Sequence, residues 1–399
     1  MIGLVDVEAA SRRVAAVVRP TPVATSTSLS RLAGRAVLLK PEYRQRTGSF
    51  KIRGAYNFMA GLNGAGREVV AGSAGNHAQG VALAASLTGR KATVFMPANA
   101  ALPKVDATRA YGAEVRLTGD SVDDCIAAAR EHAAATGAVL VPPFDDPLVI
   151  AGQGTIGLEI AEEAPQAPTV VVPVGGGGLI SGIAAALAAA RVGARVVGVE
   201  AAGAASMRAS LDAGRCVALP EVSTMADGIA VRSACDLTLH HVQALVADVV
   251  TVTEEEISSA LLLLLERAKA VVEPAGAVGL AAVLNGSVGG TGPVVVVLSG
   301  GNVDPQLLIK LIDHGLSVSG RYLVLRIVLR DSPGALAALT TEVARLGLNV
   351  LDVEHHRAGA AVAVDEVEVM LTLETRDPGH RAEVVASLTD AGYRVTLVR

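Results

Sequence analysis

The chain of 399 residues contains no tryptophan, four phenylalanines, five tyrosines and only six lysines beside 28 arginines. The scarcity of lysine matters because arginine stays protonated, whereas a lysine amine can lose its proton and attack a carbonyl. One of the six, Lys51, lies in the segment 49–55, shortly after a strand-like run at 36–40. Taken alone, this segment favours a surface lysine in a helix capped by Ser49, with a nucleophilic lysine as the alternative.

Cysteines, membrane spans and targeting signals are also missing or few. Cys125, Cys216 and Cys235 show no paired spacing, so neither a disulfide framework nor a zinc cluster is predicted. The longest uncharged stretch, 164–190, contains three prolines and four consecutive glycines, which is not typical of a membrane helix. The N-terminus lacks the basic region of a signal peptide. Since the net charge is −5 with dispersed arginines, we expect a cytoplasmic protein with no nucleic-acid or membrane partner.

Short β-branched runs alternate with alanine-rich helical stretches through most of the chain. Apolar runs of this kind, buried on both faces and alternating with helices, indicate a parallel sheet in an α/β fold. The clearest predicted strands lie at 69–72, 92–96, 169–174, 195–199, 249–252 and 293–298.

The last eighty or so residues follow a different pattern. They predict a strand, a helix, two strands, a helix and a final strand, which is a ferredoxin-like βαββαβ module. The predicted elements are 322–330, 335–346, 350–355, 367–374, 380–391 and 394–398. We therefore expect a separate domain at 322–399, joined by a linker at 316–321 to a first domain at 1–315.

Small and polar residues cluster at Ser73-Ala74-Gly75-Asn76-His77, where a predicted strand ends and a helix begins. Small residues there let backbone N–H groups reach an anion at the helix N-terminus, and Asn76 adds a directed amide. The alternative is an ordinary strand-to-helix turn, in which His77 has only a structural partner.

Four consecutive glycines, 175–178, precede Leu179 at another junction of strand and helix. Glycine loses more entropy on folding than any other residue, so such a run favours a phosphate site over a plain turn. A dinucleotide loop does not fit, because the third position of G-x-G-x-x-G falls on Ile180 or Ser181. No Lys-Ser or Lys-Thr pair follows the run, which excludes a nucleoside triphosphate loop.

These motifs together resemble the threonine dehydratases, which are fold type II pyridoxal-phosphate enzymes. The lysine segment, the 73–77 segment, the glycine run and the segment 299–302 occur in that family's order, and 224–229 and 272–277 are also similar. The C-terminal module, with the segment 331–336, resembles an amino-acid-binding ACT domain. The resemblance covers essentially the whole chain. It implies two open parallel-sheet α/β subdomains, the smaller at roughly 41–148, followed by the ferredoxin-like ACT domain.

The resemblance implies that pyridoxal 5'-phosphate is bound covalently by the catalytic residue Lys51. Asn76 would bond the phenolic oxygen of the cofactor, the glycine run its phosphate and Ser299 its ring nitrogen. The implied cofactor-binding residues are Phe50, Lys51, Asn76, Gly175, Gly176, Gly177, Gly178, Leu179, Gly228 and Ser299. The implied substrate-binding residues are Ser73, Ala74, Gly75, Asn76 and His77.

The implied activity is deamination of L-threonine to 2-oxobutanoate and ammonia, with L-serine as a second substrate. Related serine racemases carry a serine where this chain has Ala74, whose methyl group cannot deliver a proton, so elimination is favoured over racemisation. A serine dehydratase is the rival with the same chemistry, and a catalytically silent amino-acid sensor is a more distant one. The relatives' divalent-metal site would use Glu200, but Ser206 replaces its second acid, and we assign no metal.

The ACT-like module implies regulation by an amino acid held at a subunit interface. Isoleucine or valine would suit an enzyme that consumes threonine, and the alternative is a dimerisation domain without a ligand. The implied regulatory residues are Asp331, Pro333, Gly334, Ala335, Leu336 and Asn349. We expect a homo-oligomer, either a dimer or a tetramer.

Overall fold

The structure, a computed structural model, describes residues 1–62, 66–190, 193–318, 320–357 and 363–398. Ser319 in the predicted linker and Arg399 at the end of the predicted C-terminal domain lie outside these residues. The chain divides into two compact units, Met1–Pro305 and Gln306–Arg399. Across the described ranges, no helix is both long and apolar enough to cross a membrane.

The N-terminal unit alternates strands with helices, as the sequence predicts. Its strands are β1 Ala24–Thr25, β2 Val37–Lys40, β3 Val69–Gly72, β4 Ala92–Met96, β5 Glu114–Leu117, β6 Val139–Leu140, β7 Thr169–Pro173, β8 Arg195–Ala201, β9 Asp248–Val252 and β10 Val294–Val297. Its α-helices are α1 Leu4–Val14, α2 Thr27–Ala33, α3 Lys51–Ala60, α4 Asn76–Leu87, α5 Leu102–Ala110, α6 Val122–Thr136, α7 Pro147–Glu163, α8 Gly178–Ala189, α9 Ser206–Ala213, α10 Asp236–Leu245, α11 Glu254–Leu263 and α12 Pro274–Leu284.

One sheet of this unit has six strands in the order β1-β2-β10-β7-β8-β9, and all neighbours are parallel except β1 and β2. In the centre of the sheet, Val294 of β10 lies opposite Val37 of β2 and Thr169 of β7. Every residue of β7 and β10 is buried. A parallel sheet covered on both faces requires such continuous burial, and the predicted α/β fold is confirmed.

A second parallel sheet has four strands in the order β5-β4-β3-β6. Strands β3 and β4 are buried at every position and pack against apolar residues of α3 and α4, such as Ile52 and Val81. These four strands fall between Val69 and Leu140. We propose that residues 41–148, roughly, form a smaller subdomain, because the second sheet and the helices packed on it have a hydrophobic core of their own.

Three of the predicted site segments follow the carboxyl ends of parallel strands. Ser73 comes directly after β3, Gly175 comes two residues after the end of β7, and Ser299 comes two residues after the end of β10. Open parallel sheets bind ligands outside these ends, so the fold itself brings the segments together.

The helix that carries Lys51 begins differently from the prediction. Phe50, not Ser49, is the N-cap residue, and Lys51 is the first residue of α3. Ser49 is extended at φ −162° and pairs in an isolated β-bridge with Gly300. The Phe50 N–H donates to the Ser299 carbonyl at 3.1 Å, so the bridge continues up to the helix start and displaces the predicted cap.

The C-terminal unit contains the predicted βαββαβ module. Its elements are β11 Tyr322–Arg330, α14 Ala335–Arg345, β12 Val350–His356, β13 Glu366–Glu374, α15 Pro378–Asp390 and β14 Arg394–Leu397. The four strands form an antiparallel sheet in the order β12-β13-β11-β14, and alternate residues of β11 and β13 are buried. The ferredoxin-like fold is thereby confirmed. Helix α13 (Pro305–Val318) precedes the module and includes the first residues of the predicted linker 316–321.

Candidate active site

A cavity of about 760 Å³ in the N-terminal unit is lined by the segments that follow β3, β7 and β10. Every residue that the family resemblance assigns to cofactor or substrate lines it. These residues are Phe50, Lys51, Ser73, Ala74, Gly75, Asn76, His77, Gly175, Gly176, Gly177, Gly178, Leu179, Gly228 and Ser299. Segments that are far apart in the chain thus meet at one place.

Lys51 places its amine inside this cavity. Its Nζ donates to the Pro143 carbonyl at 3.1 Å and lies 5.1 Å from the centre of the Phe50 ring. Burial lowers the pKa of Lys51 to about 8, although the Glu273 carboxylate acts in the opposite direction. A larger share of neutral amine is therefore present near neutral pH than in an exposed lysine, which suits a nucleophile or a base.

The glycine run forms a tight loop into the N-terminus of α8. Gly177 has a φ of +88°, which only glycine adopts readily, and a Cβ there would lie 2.7 Å from the Met207 methyl group. A Cβ at Gly176 would overlap the ring of Phe144. The loop therefore has to be built from glycine, and its backbone N–H groups at the helix start can hold a phosphate.

Asn76 takes part in a network of hydrogen bonds at the side of the cavity. Its Nδ2 donates to the Glu273 carboxylate at 2.6 Å, and its Oδ1 accepts from Nδ2 of Asn302 at 2.6 Å. Burial, together with the nearby Asp227, raises the pKa of Glu273 to about 7. The amide that the resemblance assigns to the cofactor is thus fixed by two other side chains.

His77 is uncharged in this site. Its Nε2 lies 3.0 Å from the Val141 carbonyl, and the side chain is buried. Burial and the nearby Lys51 amine lower the pKa of His77 to about 3. A neutral His77 cannot attract a substrate carboxylate by charge, so any such attraction has to come from backbone N–H groups or from another cation.

A lysine from α5 supplies such a cation. The Lys104 Nζ lies 2.5 Å from a carboxylate oxygen of Asp227, and both side chains line the cavity. A Cβ built at Gly75 would lie 3.9 Å from the same Nζ. The ammonium group is therefore beside the predicted substrate segment.

Sequence reasoning assigned no role to five residues that the structure places at the site: Phe144, Glu273, Asn302, Lys104 and Asp227. Glu273, Asn302 and Asp227 lie in segments that already resemble the family, and this signal could have found them. Lys104 is one of only six lysines, which is a weaker signal of the same kind as that for Lys51. Phe144 has no local signal, because its contact with the glycine run is purely tertiary.

A buried charge cluster anchors α3 behind the site. Arg53, two residues after Lys51, is fully buried and binds Glu42 at 2.8 Å and Glu159 at 2.6 Å. Lys40 is also fully buried and lies 2.7 Å from Glu159. Because α3 begins at Lys51, these ion pairs hold the helix that positions the amine.

Glu200, where the relatives' metal site would begin, is occupied by backbone contacts. Its carboxylate accepts N–H groups of Met207 and Arg208, each at 2.8 Å, at the start of α9. The Ser206 hydroxyl is buried and has no hydrogen-bond partner among the described residues. In the part of the chain that the structure describes, no group of three or more His, Cys, Asp or Glu could hold a metal ion.

A separate cavity of about 760 Å³ lies within the C-terminal unit. Of the predicted regulatory residues, five line it: Asp331, Pro333, Gly334, Ala335 and Leu336. His355 and Arg357 line it as well. Asn349 is not among the lining residues, and its Nδ2 donates to Glu374 at 3.3 Å.

The fold and the site define a class of protein. The family model for pyridoxal-phosphate dependent enzymes matches residues 14–300, and the ACT domain model matches residues 323–390. The chain belongs to the family of pyridoxal-phosphate dependent enzymes and carries a C-terminal ACT domain. The cofactor of this family is pyridoxal 5'-phosphate, as the sequence motifs predict.

Particular relatives narrow this assignment. The chain is 48% identical over the full length of both chains to the L-threonine ammonia-lyase of Thermotoga maritima. Among solved structures, it is similar to threonine deaminase isoform 2 of Solanum lycopersicum, with 38% identity, a TM-score of 0.75 and coverage of 78% of this chain and 86% of that one. It is also similar to maize serine racemase, with 36% identity, a TM-score of 0.74 and coverage of 79% and 98%. The predicted resemblance to threonine dehydratases is confirmed.

The residues that line the cavity suit the family's cofactor in their chemistry. A Cβ at Gly176 would overlap the Phe144 ring and one at Gly177 would lie 2.7 Å from the Met207 methyl group, so the loop has to be glycine and carries no side chain of its own beside its N–H groups. Lys51 presents a partly deprotonated amine to the same cavity. Ser299 is 3% exposed, and its carbonyl accepts the Phe50 N–H at 3.1 Å, which places this serine beside the lysine segment.

Proposed function

We propose that the protein deaminates L-threonine to 2-oxobutanoate and ammonia with pyridoxal 5'-phosphate, and that it acts secondarily on L-serine to give pyruvate. The observation that carries this proposal is the meeting of Lys51, the glycine run 175–178 and Ser299 around one cavity. Full-length similarity to an L-threonine ammonia-lyase supports threonine as the substrate.

In this proposal, the cavity residues divide between the parts of the cofactor. Lys51 holds it covalently through Nζ, and the backbone N–H groups of Gly175–Gly178 and Leu179 bind its phosphate at the N-terminus of α8. Phe50 packs beside the ring, while Asn76 donates to the phenolic oxygen. Ser299 would meet the ring nitrogen with a neutral hydroxyl. Gly228 lines the same cavity, where a Cβ would lie 2.9 Å from the Ala275 methyl group.

The bound cofactor supplies an electron sink beside the α-carbon of the substrate. Lys51 is the residue that takes the α-proton onto Nζ, and its pKa of about 8 suits this role because part of the amine is neutral at the working pH. Loss of the β-hydroxyl as water and hydrolysis of the remaining C–N bond then give 2-oxobutanoate and ammonia.

The substrate side of the site is formed by Ser73, Ala74, Gly75, Asn76 and His77, all of which line the cavity. The backbone N–H groups at the start of α4 bind the substrate carboxylate, and the neutral His77 shapes the pocket without adding charge. Ala74 offers only a methyl group on its side of the substrate. Ala74 therefore cannot deliver a proton there, which favours elimination over racemisation.

The test of this proposal combines a spectrum with turnover. Purified protein mixed with pyridoxal 5'-phosphate should gain the absorbance of lysine-bound cofactor and should form 2-oxobutanoate from L-threonine. Lys51→Ala should remain folded, lose the covalent cofactor and lose turnover. Covalent cofactor that persists in this variant would refute the role of Lys51. A marked preference for L-serine would instead identify a serine dehydratase.

For the C-terminal unit we propose an amino-acid effector site lined by Asp331, Pro333, Gly334, Ala335 and Leu336. The match to the ACT domain model and the cavity at this turn support it. Isoleucine or valine is the proposed effector, and the proposed assembly is a homo-oligomer. Threonine titrations with and without isoleucine, together with light scattering, test both parts. An unchanged titration curve would contradict regulation by isoleucine.

A further inference from the structure

The side chain of Asn76 is held at both of its polar ends by other side chains. Its Nδ2 donates to Oε1 of Glu273 at 2.6 Å, and its Oδ1 accepts from Nδ2 of Asn302 at 2.6 Å. The Asn302 Nδ2 also donates to the Thr47 carbonyl at 2.6 Å. Three short bonds thus connect α4, the start of α12 and the segment after β10.

This chain of bonds permits one orientation of the Asn76 amide. Carboxylates and carbonyls accept hydrogen bonds, so the group of Asn302 between Thr47 and Asn76 has to be the NH2 group, which donates to both. The Asn76 atom that faces Asn302 is then the oxygen, and the NH2 group faces Glu273. One hydrogen of that NH2 group bonds Glu273, and the second remains available in the cavity.

The backbone around Glu273 leaves no room for the network to rearrange. A Cβ at Gly300 would overlap the Glu273 carboxylate and would lie 3.1 Å from Nδ2 of Asn76. A Cβ at Gly228 would lie 3.3 Å from Oε1 of Glu273 and 2.9 Å from the Ala275 methyl group. Such close approach is how a protein holds a buried polar group in one position.

Glu273 is nearly buried, with 4% of its surface exposed, and it lines the cavity itself. Charged groups act on it from three directions: Lys51 from α3, Lys104 from α5 and Asp227 from the turn at 227–229. Burial raises the pKa of Glu273 to about 7. The strength with which it accepts from Asn76 therefore changes across neutral pH, because an ionised acceptor binds more strongly than a neutral one.

We propose that Glu273 is a positioning residue that orients Asn76, so that an N–H of its amide, and not its carbonyl oxygen, is presented to the phenolic oxygen of pyridoxal 5'-phosphate. This inference rests on the proposed function, in which Asn76 binds that oxygen. Asn302 holds the opposite end of the amide and prevents it from turning over.

The test is a set of three variants of the full chain, each titrated with pyridoxal 5'-phosphate and followed by cofactor absorbance. Glu273→Ala removes the acceptor, so the affinity for the cofactor should fall about tenfold or more, as expected for a lost bond to a charged group. Glu273→Gln keeps an oxygen acceptor and should stay within about threefold of the wild type. Asn76→Ala should lower the affinity at least as much as Glu273→Ala.

The pH dependence separates orientation from simple support of the fold. Wild-type affinity should fall more steeply than that of Glu273→Gln as the pH drops below about 7, because only the carboxylate becomes protonated there. Because the Glu273 carboxylate also raises the pKa of Lys51, the same comparison is made in an Asn76→Ala background. A difference in slope that persists there would come from Lys51 and would overturn the inference. Glu200→Gln is the matched control, since Glu200 is also a buried carboxylate with a pKa of about 7 and is not among the residues that line the cavity.

Each outcome decides the inference. If Glu273→Ala binds pyridoxal 5'-phosphate as tightly as the wild type, Glu273 does not position Asn76. The same conclusion follows if Glu200→Gln lowers the affinity as much as Glu273→Ala does. If Glu273→Ala fails to fold, the pH comparison with Glu273→Gln decides, and identical pH profiles overturn the inference. If the wild type takes up no cofactor, or if Asn76→Ala binds it normally, the proposed function of the site fails first.

Discussion

The ammonium group of Lys104 lies 2.5 Å from a carboxylate oxygen of Asp227, and the two side chains line the cavity together. Asp227 is 57% exposed and Lys104 is 17% exposed, so this pair contributes little to the free energy of unfolding. The pair matters for substrate binding, because it holds the Lys104 ammonium group beside the segment 73–77.

Lys104→Met should raise the KM for L-threonine about tenfold while changing kcat much less, because the lost charge assists binding of the substrate carboxylate. Asp227→Asn should leave the KM unchanged or lower it, since the ammonium group loses its competing partner. Steady-state kinetics of both variants are the measurement. Lys91→Met is the control, because Lys91 pairs with Glu114 at 3.2 Å and is not among the cavity-lining residues. An unchanged KM in Lys104→Met would contradict the prediction.

Arg53→Ala should lower the free energy of unfolding by about 3–5 kcal/mol, because it leaves the buried Glu42 and the partly buried Glu159 without their partner. Arg116→Ala removes a half-exposed ion pair with Glu114. It should lower the free energy of unfolding by less than about 1 kcal/mol. Urea unfolding curves measure both. Equal effects of the two substitutions would mean that the buried cluster does not stabilise the fold.

The pH dependence of stability should include a contribution from Glu200. Burial raises its pKa to about 7 from an ordinary value of 4.5, so the folded protein binds a proton there that the unfolded chain has already lost. The contribution is fully present below about pH 4.5 and is lost as the pH rises through about 7, and at pH 7 the loss amounts to roughly 2–3 kcal/mol. In Glu200→Gln, stability should fall less with rising pH than in the wild type. Thermal unfolding measured from pH 5 to 8 tests this. A slope identical to that of the wild type would show that Glu200 titrates normally.

Ala74→Ser should convert part of the elimination of L-serine into racemisation. A hydroxyl at this position can return a proton to the opposite face of the α-carbon, and a general acid of this kind contributes about 100-fold or more to a step. We expect the ratio of D-serine to pyruvate to rise at least about tenfold, as measured by chiral chromatography. Ala74→Gly removes the methyl group without adding an acid and should not change the ratio. D-serine at wild-type levels from Ala74→Ser would contradict the assignment.

The pattern of the sequence determines much of this fold. The strands 69–72 and 92–96 are continuous apolar runs bounded by polar residues or turns, and the structure has them at the predicted bounds. The stretch 254–270, in contrast, predicts one continuous helix from its sequence. In the structure α11 ends at Leu263, a π-helical turn follows at Leu264–Ala268, and Lys269 has a φ of +55°. No glycine or proline marks that end, so local rules could not place it.

In the candidate site, too, some residues can be predicted from the local sequence and others cannot. Lys51, the glycine run and the 73–77 segment follow strand ends or begin helices, where the local sequence carries the signal. Glu273 also begins a helix and lies in a segment that resembles the family, but its pairing with Asn76 has no local signal, because Asn76 is 197 positions away in the chain. Asn349 stays a prediction from its position in a family pattern, and its contact with Glu374 was not predicted. Contacts between distant segments cannot be read from one sequence.

The hydrogen bond from Lys51 to the Pro143 carbonyl allows the amine to be anchored and reactive at once. A neutral amine that donates an N–H keeps its lone pair, so it can still accept a proton or attack a carbonyl while it is held. A carboxylate in place of this backbone oxygen would have favoured the charged ammonium form, which has no lone pair. A neutral acceptor therefore holds the Lys51 amine in place and leaves it able to act as a base or a nucleophile.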